Sequence, residues 1–498
     1  MIDMKVPPEI RNVDRPPDTI VYAFGKDPVK FNVKLRTYTK VNGKTVQTDG
    51  ETIGSIIDMK FVPLERRKPI RYDNTDIKYW GVTQLAINLT SDILEDLLVV
   101  YARDDAIKTY VIAILRASDE KLVDYELGDA YDMDYISVTY PRVPLSKDTV
   151  SRHLYDLGRV YSRITEFMEL RCKRVPVNHS VAIDGMLKSY ESDTNIFSEF
   201  SRKALKKGTR DISVVFAYDV DEGEPICSKI YSGNQTDISV FKDFLESNSI
   251  TQGFIITDKG FSYNAAKNVF LDNPGLHFLI PLKRDSKIID EYKALCMSHT
   301  LSNRFGIESR KIRMHDGRYL YSFRDPSIAK IEEEAWVEEH KDYDPSALEE
   351  MRREFGTIVF VSDLDAQPEM MFAAYEERWE LEILFRFYKH ILQMDETRVH
   401  SELSVIGTEF INFLSTIILC RMRKAFYKVE CLRKKPYKAN IKLLRKGMMI
   451  RSSAEGEWLP RKLTEKEEKI FIELGLLEAP KEEPRKRGRP RGSKNRKK

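Results

Sequence analysis

The spacing of hydrophobic residues changes along this chain and predicts regions of different structure. Residues 1–64 alternate between apolar and polar positions, as in Lys30–Arg36, with an Asn42-Gly43 turn between two such runs. Residues 78–118 instead repeat apolar residues at helical spacing. The pattern therefore predicts a strand-rich region at 1–64, followed by a helical region at 65–175.

The segment 144–172 carries the pattern of a capped amphipathic helix. Ser146 is a favourable N-cap residue, and the apolar residues after it share one helical face: Val150, Leu154 and Leu157. Polar residues occupy the other positions: Lys147, Ser151, Arg152 and His153. Two interpretations remain open, because the helix could lie in a DNA major groove as part of a helix-turn-helix or be an ordinary surface helix.

From Val177 onward, short apolar runs alternate with helical stretches, which indicates an α/β domain. The predicted buried strands are Ser180–Ile183, Ile212–Tyr218, Phe254–Ile256, His277–Pro281 and Thr357–Ser362, and the predicted helices are 237–248 and 261–272. Charged, mixed sequence interrupts this rhythm at 285–355. We expect a catalytic core formed by 176–284 and 356–398, with 285–355 as an insertion into it.

The remainder of the chain is predicted to be helical at 399–478 and disordered at 479–498. The apolar run from Phe410 to Cys420 is too short to span a bilayer and indicates a buried helix. The residues after it become rich in Pro, Lys and Arg. The overall expectation is a multidomain α/β protein.

Composition limits the possible functions. The chain has 498 residues, of which 32% are charged, and a formal net charge of only +3, so affinity for nucleic acid would come from local basic patches. Its five cysteines show no C-x-x-C spacing, which argues against a disulfide scaffold or a structural zinc site. None of the eight histidines has metal-ligand spacing, no Gly-rich phosphate loop indicates ATP use, and the N-terminus does not resemble a signal peptide. We expect a soluble, cytoplasmic protein.

The segment from Tyr375 to Lys389 has the most specific pattern in the chain. On a single helix, one face would carry Tyr375, Arg378, Glu382, Arg386 and Lys389, and the opposite face Leu381, Leu384, Tyr388 and Ile391. One carboxylate among cations and a phenol is suited to holding a metal ion beside an anionic polymer.

Two further carboxylates follow predicted strands. Asp184 ends the run that begins at Val181, and Asp258 ends the run that begins at Phe254. With Glu382 they could converge, and three adjacent acids repel one another unless a cation neutralises them. Mg²⁺ or Mn²⁺ accepts oxygen ligands, and a pair of such ions can promote displacement at phosphorus. Each aspartate alone is more typical of an ordinary turn than of a metal site.

The order strand–Asp, strand–Asp, helix–Glu resembles that of the DDE transposases of insertion sequences. The helix matches their YREK signature at Tyr375, Arg378, Glu382 and Lys389. The resemblance implies an RNase H-like core with an inserted β-rich segment and a metal-binding triad of Asp184, Asp258 and Glu382. It also implies that Arg378 and Lys389 contact DNA phosphates and that Tyr375 orients the DNA end. We include Arg386, on the same face, among the expected DNA contacts.

One aromatic residue in the insertion and the basic tail each have two possible roles. Trp336 in the insertion could stack on a flipped base, or it could simply pack inside the insertion. In the tail, Arg487 and Arg489 flank Gly488 in a sequence similar to an AT-hook, which would reach into a narrow minor groove. A polybasic tail without sequence preference would also bind DNA.

The resemblance therefore implies a DNA transposase that cleaves the ends of an element and joins the 3′ ends to target DNA. Its expected partners are double-stranded DNA and a second copy of itself in a synaptic complex, close to a prokaryotic nucleoid. Two alternatives remain: a nuclease of the same fold that never joins strands, and a non-catalytic AT-hook protein.

Overall fold

The computed structural model describes residues 6–24, 30–41, 44–64, 75–119, 122–190, 192, 194–201, 209–235, 237–258, 260–390, 397, 399–452 and 456–479. The chain forms two compact units, Met1–Asp76 with Arg451–Glu457, and Ile77–Ile450 with Trp458–Lys498. The predicted tail at 479–498 lies almost entirely outside the described residues, so Arg487 and Arg489 have no structural description here.

The first unit contains the predicted strands. A short helix α1 (Pro8–Arg11) precedes four antiparallel strands in the order β1-β2-β3-β4, namely β1 (Thr19–Phe24), β2 (Lys30–Val41), β3 (Lys44–Ile57) and β4 (Lys60–Pro63). Alternate residues point to one face, which packs around Val6, Val21, Val33 and Ile56. The Asn42-Gly43 turn between β2 and β3 falls outside the described residues.

The second unit begins with a helical layer. After β5 (Asp76–Tyr79) come α2 (Gly81–Leu89), α3 (Ser91–Val100), α4 (Arg103–Ser118), a 3₁₀ turn (Asp124–Glu126), α5 (Leu127–Met133), α6 (Ile136–Thr139), α7 (Lys147–Arg159) and α8 (Tyr161–Cys172). The helical spacing predicted for 78–118 is confirmed, and almost every residue in the second half of α4 is buried.

A mixed sheet follows the helices. Its strands are β6 (Ser180–Ser189), β7 (Glu199–Phe200), β8 (Arg210–Asp219), β9 (Glu224–Ser232), β10 (Gln252–Thr257) and β11 (Gly275–Pro281), with α9 (Asp237–Ser247) and α10 (Tyr263–Asp272) between the later strands. The order β9-β8-β6-β10-β11 has β6, β8 and β9 antiparallel, and β6, β10 and β11 parallel. The predicted strands and helices of this region are confirmed.

The segment 285–355 extends the same sheet. It contains α11 (Lys287–Glu291), β12 (His299–Thr300), β13 (Glu308–Arg313), β14 (Tyr319–Arg324), α12 (Pro326–Glu339) and α13 (Pro345–Met351), and β15 (Thr357–Ser362) follows it. β15 lies between β11 and β14, so the sheet continues as β11-β15-β14-β13-β12. Trp336 packs within this segment, because its ring stacks on His340 at 4.4 Å and meets Tyr343 at 5.3 Å.

The chain ends in a mainly helical region: α14 (Pro368–Glu377), α15 (Trp379–His390), α16 (Glu402–Lys428), α17 (Glu430–Arg433), α18 (Tyr437–Leu444), β16 (Met448–Arg451), β17 (Leu459–Pro460) and α19 (Glu465–Glu473). The buried helix predicted at Phe410–Cys420 is confirmed as part of α16. Among the described residues, α16 alone is long and apolar enough to cross a membrane, yet 78% of its apolar window is buried inside the protein, as in a core helix.

Helices α7 and α16 cross at two glycines. A Cβ atom at Gly158 would lie 1.9 Å from the Leu403 carbonyl oxygen, and one at Gly407 would lie 2.0 Å from that of Leu154. Only residues without a side chain allow the two backbones to approach this closely. The apolar face predicted for α7 is therefore the face that packs against α16.

The polar face predicted for α7 is correct except at one residue. Ser146 caps the helix by accepting a hydrogen bond from the Thr149 amide. His153, however, is only 5% exposed, and its Nε2 lies 2.9 Å from the Thr109 hydroxyl of α4. Burial, together with the charge of Lys108, lowers the pKa of His153 to about 3. The expectation of an outward-pointing histidine was wrong, because α4 covers that edge of the helix.

Candidate active site

Asp184 and Asp258 follow the last paired residues of two adjacent parallel strands. The β6–β10 register ends at the pair Ile183 and Thr257, so each aspartate is the next residue along its chain. One expectation was wrong: Asp184 does not end its strand, because β6 continues to Ser189 in antiparallel pairing with β8. The change from apolar to polar residues at Asp184 marks the point where β6 stops pairing with β10, although β6 itself continues.

The signature segment forms two helices and not one. Helix α14 ends at Glu377 and α15 begins at Trp379, with Arg378 between them. The amide of Arg378 bonds to the Tyr375 carbonyl oxygen at 3.2 Å, and that of Leu381 bonds to the Arg378 carbonyl oxygen at 2.9 Å. These i→i+3 bonds tighten the backbone at Arg378, which explains why the continuous helix predicted from spacing is interrupted there.

Arg378 lies among the three acids. Its Nη2 donates a hydrogen bond to Glu382 Oε1 at 3.1 Å, and its Nη1 is 3.6 Å from Asp184 Oδ2. The guanidinium is 10% exposed. Burial opposes its charge, but Tyr375, Asp258, Asp184 and Glu382 together raise the pKa of Arg378 above its usual value. The structure thus brings all three predicted acids near one cation.

The phenol of Tyr375 belongs to the same cluster. Its ring packs on Phe360 of β15 at 4.6 Å, and the guanidinium carbon of Arg378 lies 5.4 Å from the ring centre. Burial raises the pKa of Tyr375, and the charges of Asp258 and Glu382 add to this effect while Arg378 opposes it. The phenol therefore remains protonated and can donate a hydrogen bond near the acids.

The two remaining predicted residues lie further along α15. Arg386 is exposed and Lys389 is half-buried. The opposite face is buried as predicted at Leu381, Leu384 and Tyr388, whereas Ile391 is outside the described residues. The buried apolar face thus orients α15 so that Glu382 reaches Arg378.

The donor atoms around Arg378 suit a hard divalent cation. Three carboxylates provide oxygen ligands of the kind that Mg²⁺ and Mn²⁺ prefer, and the guanidinium now provides the neutralising charge. The carboxylate oxygens of the three acids are not all within 4.8 Å of one another. Among the described residues, His179, Asp219 and Asp221 do have ligand atoms that close together. A metal ion bound by Asp184, Asp258 and Glu382 would therefore replace the contacts that Arg378 makes.

His179, Asp219 and Asp221 form a second cluster, which sequence spacing did not indicate. His179 Nδ1 lies 2.8 Å from Asp219 Oδ2, and Asp221 Oδ2 accepts a hydrogen bond from the Ser180 amide at 2.7 Å. Burial alone would lower the pKa of His179, but the hydrogen bond to Asp219 and the nearby acids raise it. The spacing of the histidines gave no sign of this cluster, because β6–β8 pairing brings together residues 40 positions apart in the sequence.

The cysteines are not joined by disulfide bonds. All five are free: Cys172, Cys227, Cys296, Cys420 and Cys431. Three of them are buried, and the other two are exposed.

Comparison with known proteins identifies the middle of the chain. Residues 181–415 match the family model described as a transposase DDE domain, a span of slightly less than half the chain that contains Asp184, Asp258 and Glu382. This match supports a DDE transposase. No curated protein gives a significant match.

One solved structure is similar over much of its length. It is a cryo-EM structure of a piggyBac transposase synaptic complex with hairpin DNA, with 12% sequence identity, covering 74% of this chain and 80% of the other. The TM-score of 0.40 is too low to establish a common fold.

Proposed function

We propose that this chain is a DDE transposase that cuts DNA at the ends of a mobile element and joins the exposed 3′-hydroxyls to a target. The observation that carries the proposal is the match of residues 181–415 to a transposase DDE domain, within which three acids surround a single guanidinium. A chance combination of strand-end carboxylates would not be expected to surround an arginine of the same signature.

The arrangement of strands supports an RNase H-like core. Three antiparallel strands, β6, β8 and β9, are followed by two strands parallel to β6, and the order is β9-β8-β6-β10-β11. In such a sheet, side chains that follow neighbouring parallel strands meet at one edge. Asp184 and Asp258 have this relationship, and α15 adds Glu382.

In this proposal Asp184, Asp258 and Glu382 hold divalent magnesium or manganese, most simply as two ions. The metal, when bound, would lower the pKa of the attacking water or hydroxyl and neutralise the leaving oxygen. The protein residues orient the DNA strand, because in-line displacement requires the attacking and leaving oxygens to be opposite each other at phosphorus.

The cationic residues of the signature would bind the DNA backbone. Arg378 presents a planar guanidinium suited to bidentate phosphate contact, once it leaves Asp184 and Glu382. Arg386 and Lys389 lie further along the chain, on α15, and would contact neighbouring phosphates. Tyr375 would donate a hydrogen bond from its protonated phenol and so fix the DNA end.

The deciding experiment uses the full chain with DNA from either side of its reading frame. Precut linear ends and a supercoiled plasmid are incubated with Mg²⁺, and joined products are resolved on a gel. We expect single- and double-end joining, which Asp184→Asn should abolish. Cleavage of DNA without joined products would support the nuclease alternative, and binding without either reaction would support a non-catalytic protein.

Crosslinking in the same mixture tests for the expected homodimer on paired ends.

A further inference from the structure

A buried carboxylate on α16 links the strand of Asp184 to the helix of Glu382. Glu409 Oε1 lies 2.5 Å from Lys188 Nζ, and the Tyr388 hydroxyl donates a hydrogen bond to Glu409 Oε2 at 2.5 Å. Lys188 follows Asp184 by four residues on β6, and Tyr388 follows Glu382 by six on α15. Two of the three elements that carry the acids are thus tied to one side chain.

The cluster formed by Lys188, Tyr388 and Glu409 is almost fully excluded from solvent. The side chains of Lys188 and Glu409 are 1% and 3% exposed, and Tyr388 is 1% exposed. Burial and the charge of Glu409 raise the pKa of Tyr388 well above its usual value, so its hydroxyl remains a donor. Asn412 also donates to Glu409 Oε1 at 3.1 Å. Both carboxylate oxygens are therefore satisfied.

The surrounding residues restrict movement of this cluster. Phe216 of β8 places its ring centre 6.0 Å from that of Tyr388 and 5.9 Å from that of Phe385. On the other side, Arg116 of α4 donates to Asn412 Oδ1 at 3.0 Å. Close packing and directional hydrogen bonds together allow a narrow range of positions for α15 relative to β6.

Stability alone does not account for such a cluster. Apolar residues of similar volume often replace a buried ion pair without loss of stability, because desolvation of both charges offsets their attraction. A charged hydrogen-bonded pair differs from apolar packing in that it fixes distance and direction. A metal site needs that kind of control, since ligand positions must hold to within roughly half an ångström.

We propose that Lys188, Tyr388 and Glu409 hold β6 and α15 in the relative position from which Asp184 and Glu382 bind a divalent cation once Arg378 is displaced. The inference rests on the proposed function, since it assumes that these acids form the metal site. The three residues act through the backbone of β6 and α15, and none of them touches substrate.

The test measures Mn²⁺ binding to the full-length, DNA-free protein by electron paramagnetic resonance of the unbound ion. The component of binding that Asp184→Asn removes defines the triad site and separates it from ions held elsewhere, for example by His179. Tyr388→Phe deletes one hydroxyl and retains the ring. We expect it to raise the Mn²⁺ dissociation constant of the triad site by roughly tenfold or more, as substitutions behind metal ligands do.

Tyr110→Phe is the matched control. Tyr110 on α4 is equally buried, and its hydroxyl bonds to Thr90, the residue between α2 and α3. None of these elements carries any of the three acids. We expect this variant to lower Tm without changing Mn²⁺ affinity. If Tyr110→Phe weakens Mn²⁺ binding as much as Tyr388→Phe does, the effect is general destabilisation and the positioning role is refuted.

A double variant removes the charges together. Lys188→Met with Glu409→Gln leaves no unpaired buried charge, and we expect it to fold and to bind Mn²⁺ at least tenfold more weakly. Wild-type affinity in both this variant and Tyr388→Phe would overturn the positioning role and leave the proposed function intact. If Asp184→Asn removes no Mn²⁺ binding from the wild type, the metal site of the proposed function fails, and the positioning role fails with it.

Discussion

Arg378 donates a hydrogen bond to Glu382, four residues further along the chain, at 3.1 Å. The same guanidinium is 3.6 Å from Asp184, so one cation bridges a strand acid and a helix acid. In the absence of metal, this contact limits the repulsion that would otherwise separate the carboxylates. It also means that a metal ion and Arg378 compete for the same oxygens.

Removing this competitor should strengthen metal binding. We expect Arg378→Gln to lower the Mn²⁺ dissociation constant of the DNA-free protein several-fold, because Glu382 and Asp184 lose their cationic partner. The same variant should bind DNA ends more weakly and join them poorly, since the phosphate contact proposed for Arg378 is lost. Calorimetric titration with Mn²⁺ and a joining assay measure the two effects. A parallel loss of metal and DNA binding would contradict the competition.

Neutralising each acid should abolish catalysis without unfolding the protein. Asp184→Asn, Asp258→Asn and Glu382→Gln are each expected to reduce strand joining by roughly a hundredfold or more, because charge stabilisation of the transition state is lost. Thermal unfolding should shift little, since each variant also removes a repulsive charge. Asp272→Asn, at the exposed end of α10, is the control. Residual joining by any triad variant close to the control level would exclude that residue.

Stability should depend on pH through His153. Burial lowers its folded pKa to about 3, below the usual value of 6.5. The unfolded chain therefore binds a proton first, and the contribution of this group to stability is lost as pH falls from 6.5 towards 3. The expected slope approaches about 1.4 kcal/mol per pH unit below 6. Urea unfolding of the wild type and of His153→Gln should converge at low pH, and parallel curves would disprove the effect.

Arg421 should matter for stability more than for DNA binding. The sequence around it is basic, yet its Nε lies 2.7 Å from Glu224 Oε2 and its Nη2 donates to Asp92 Oδ2 at 2.9 Å. Arg171 completes the group by donating to Glu224 at 2.7 Å. Arg421→Gln leaves these acids without their main partner and should cost roughly 3 kcal/mol of unfolding free energy. Denaturant titration measures this, and an unchanged midpoint with weaker DNA binding would contradict it.

The basic tail should contribute affinity and not chemistry. Deleting residues 484–498 removes nine Lys and Arg residues and no acid. We expect weaker binding to duplex DNA and a shallower dependence of the binding constant on salt, because fewer counterions are released. Joining of ends that are already bound should persist. Binding measured across a salt series checks the prediction, and identical slopes would refute it.

Local patterns were sufficient to predict most of the secondary structure around the site. The apolar run of β15 was located to the residue at Thr357–Ser362, because such runs carry their own signal. The buried face of α15 followed from helical periodicity at Leu381 and Leu384. Asp184 and Asp258 occupy equivalent positions, each one residue beyond the last pair between β6 and β10.

Features set by distant contacts were not predictable from spacing. The contact of Arg378 with Asp184 depends on β6, which lies far earlier in the sequence and does not appear in the helical periodicity of this segment. The pairing of His179 with Asp219 depends on strand register. To predict that β14 joins the sheet through β15, one would need to know that β15 pairs with the edge of β11 that β10 leaves free. Lys188 showed no signal in the sequence, because a lysine in a strand is ordinarily solvated.

The close crossing of α7 and α16 couples the movements of these two helices within the second unit. Because Gly158 and Gly407 have no side chains, the two helix backbones are in direct contact, and neither helix can slide without displacing the other's backbone. Glu409 lies two residues beyond Gly407. A displacement of the α7 backbone would therefore pass directly to the α16 backbone at Gly407, and Glu409 would move with it.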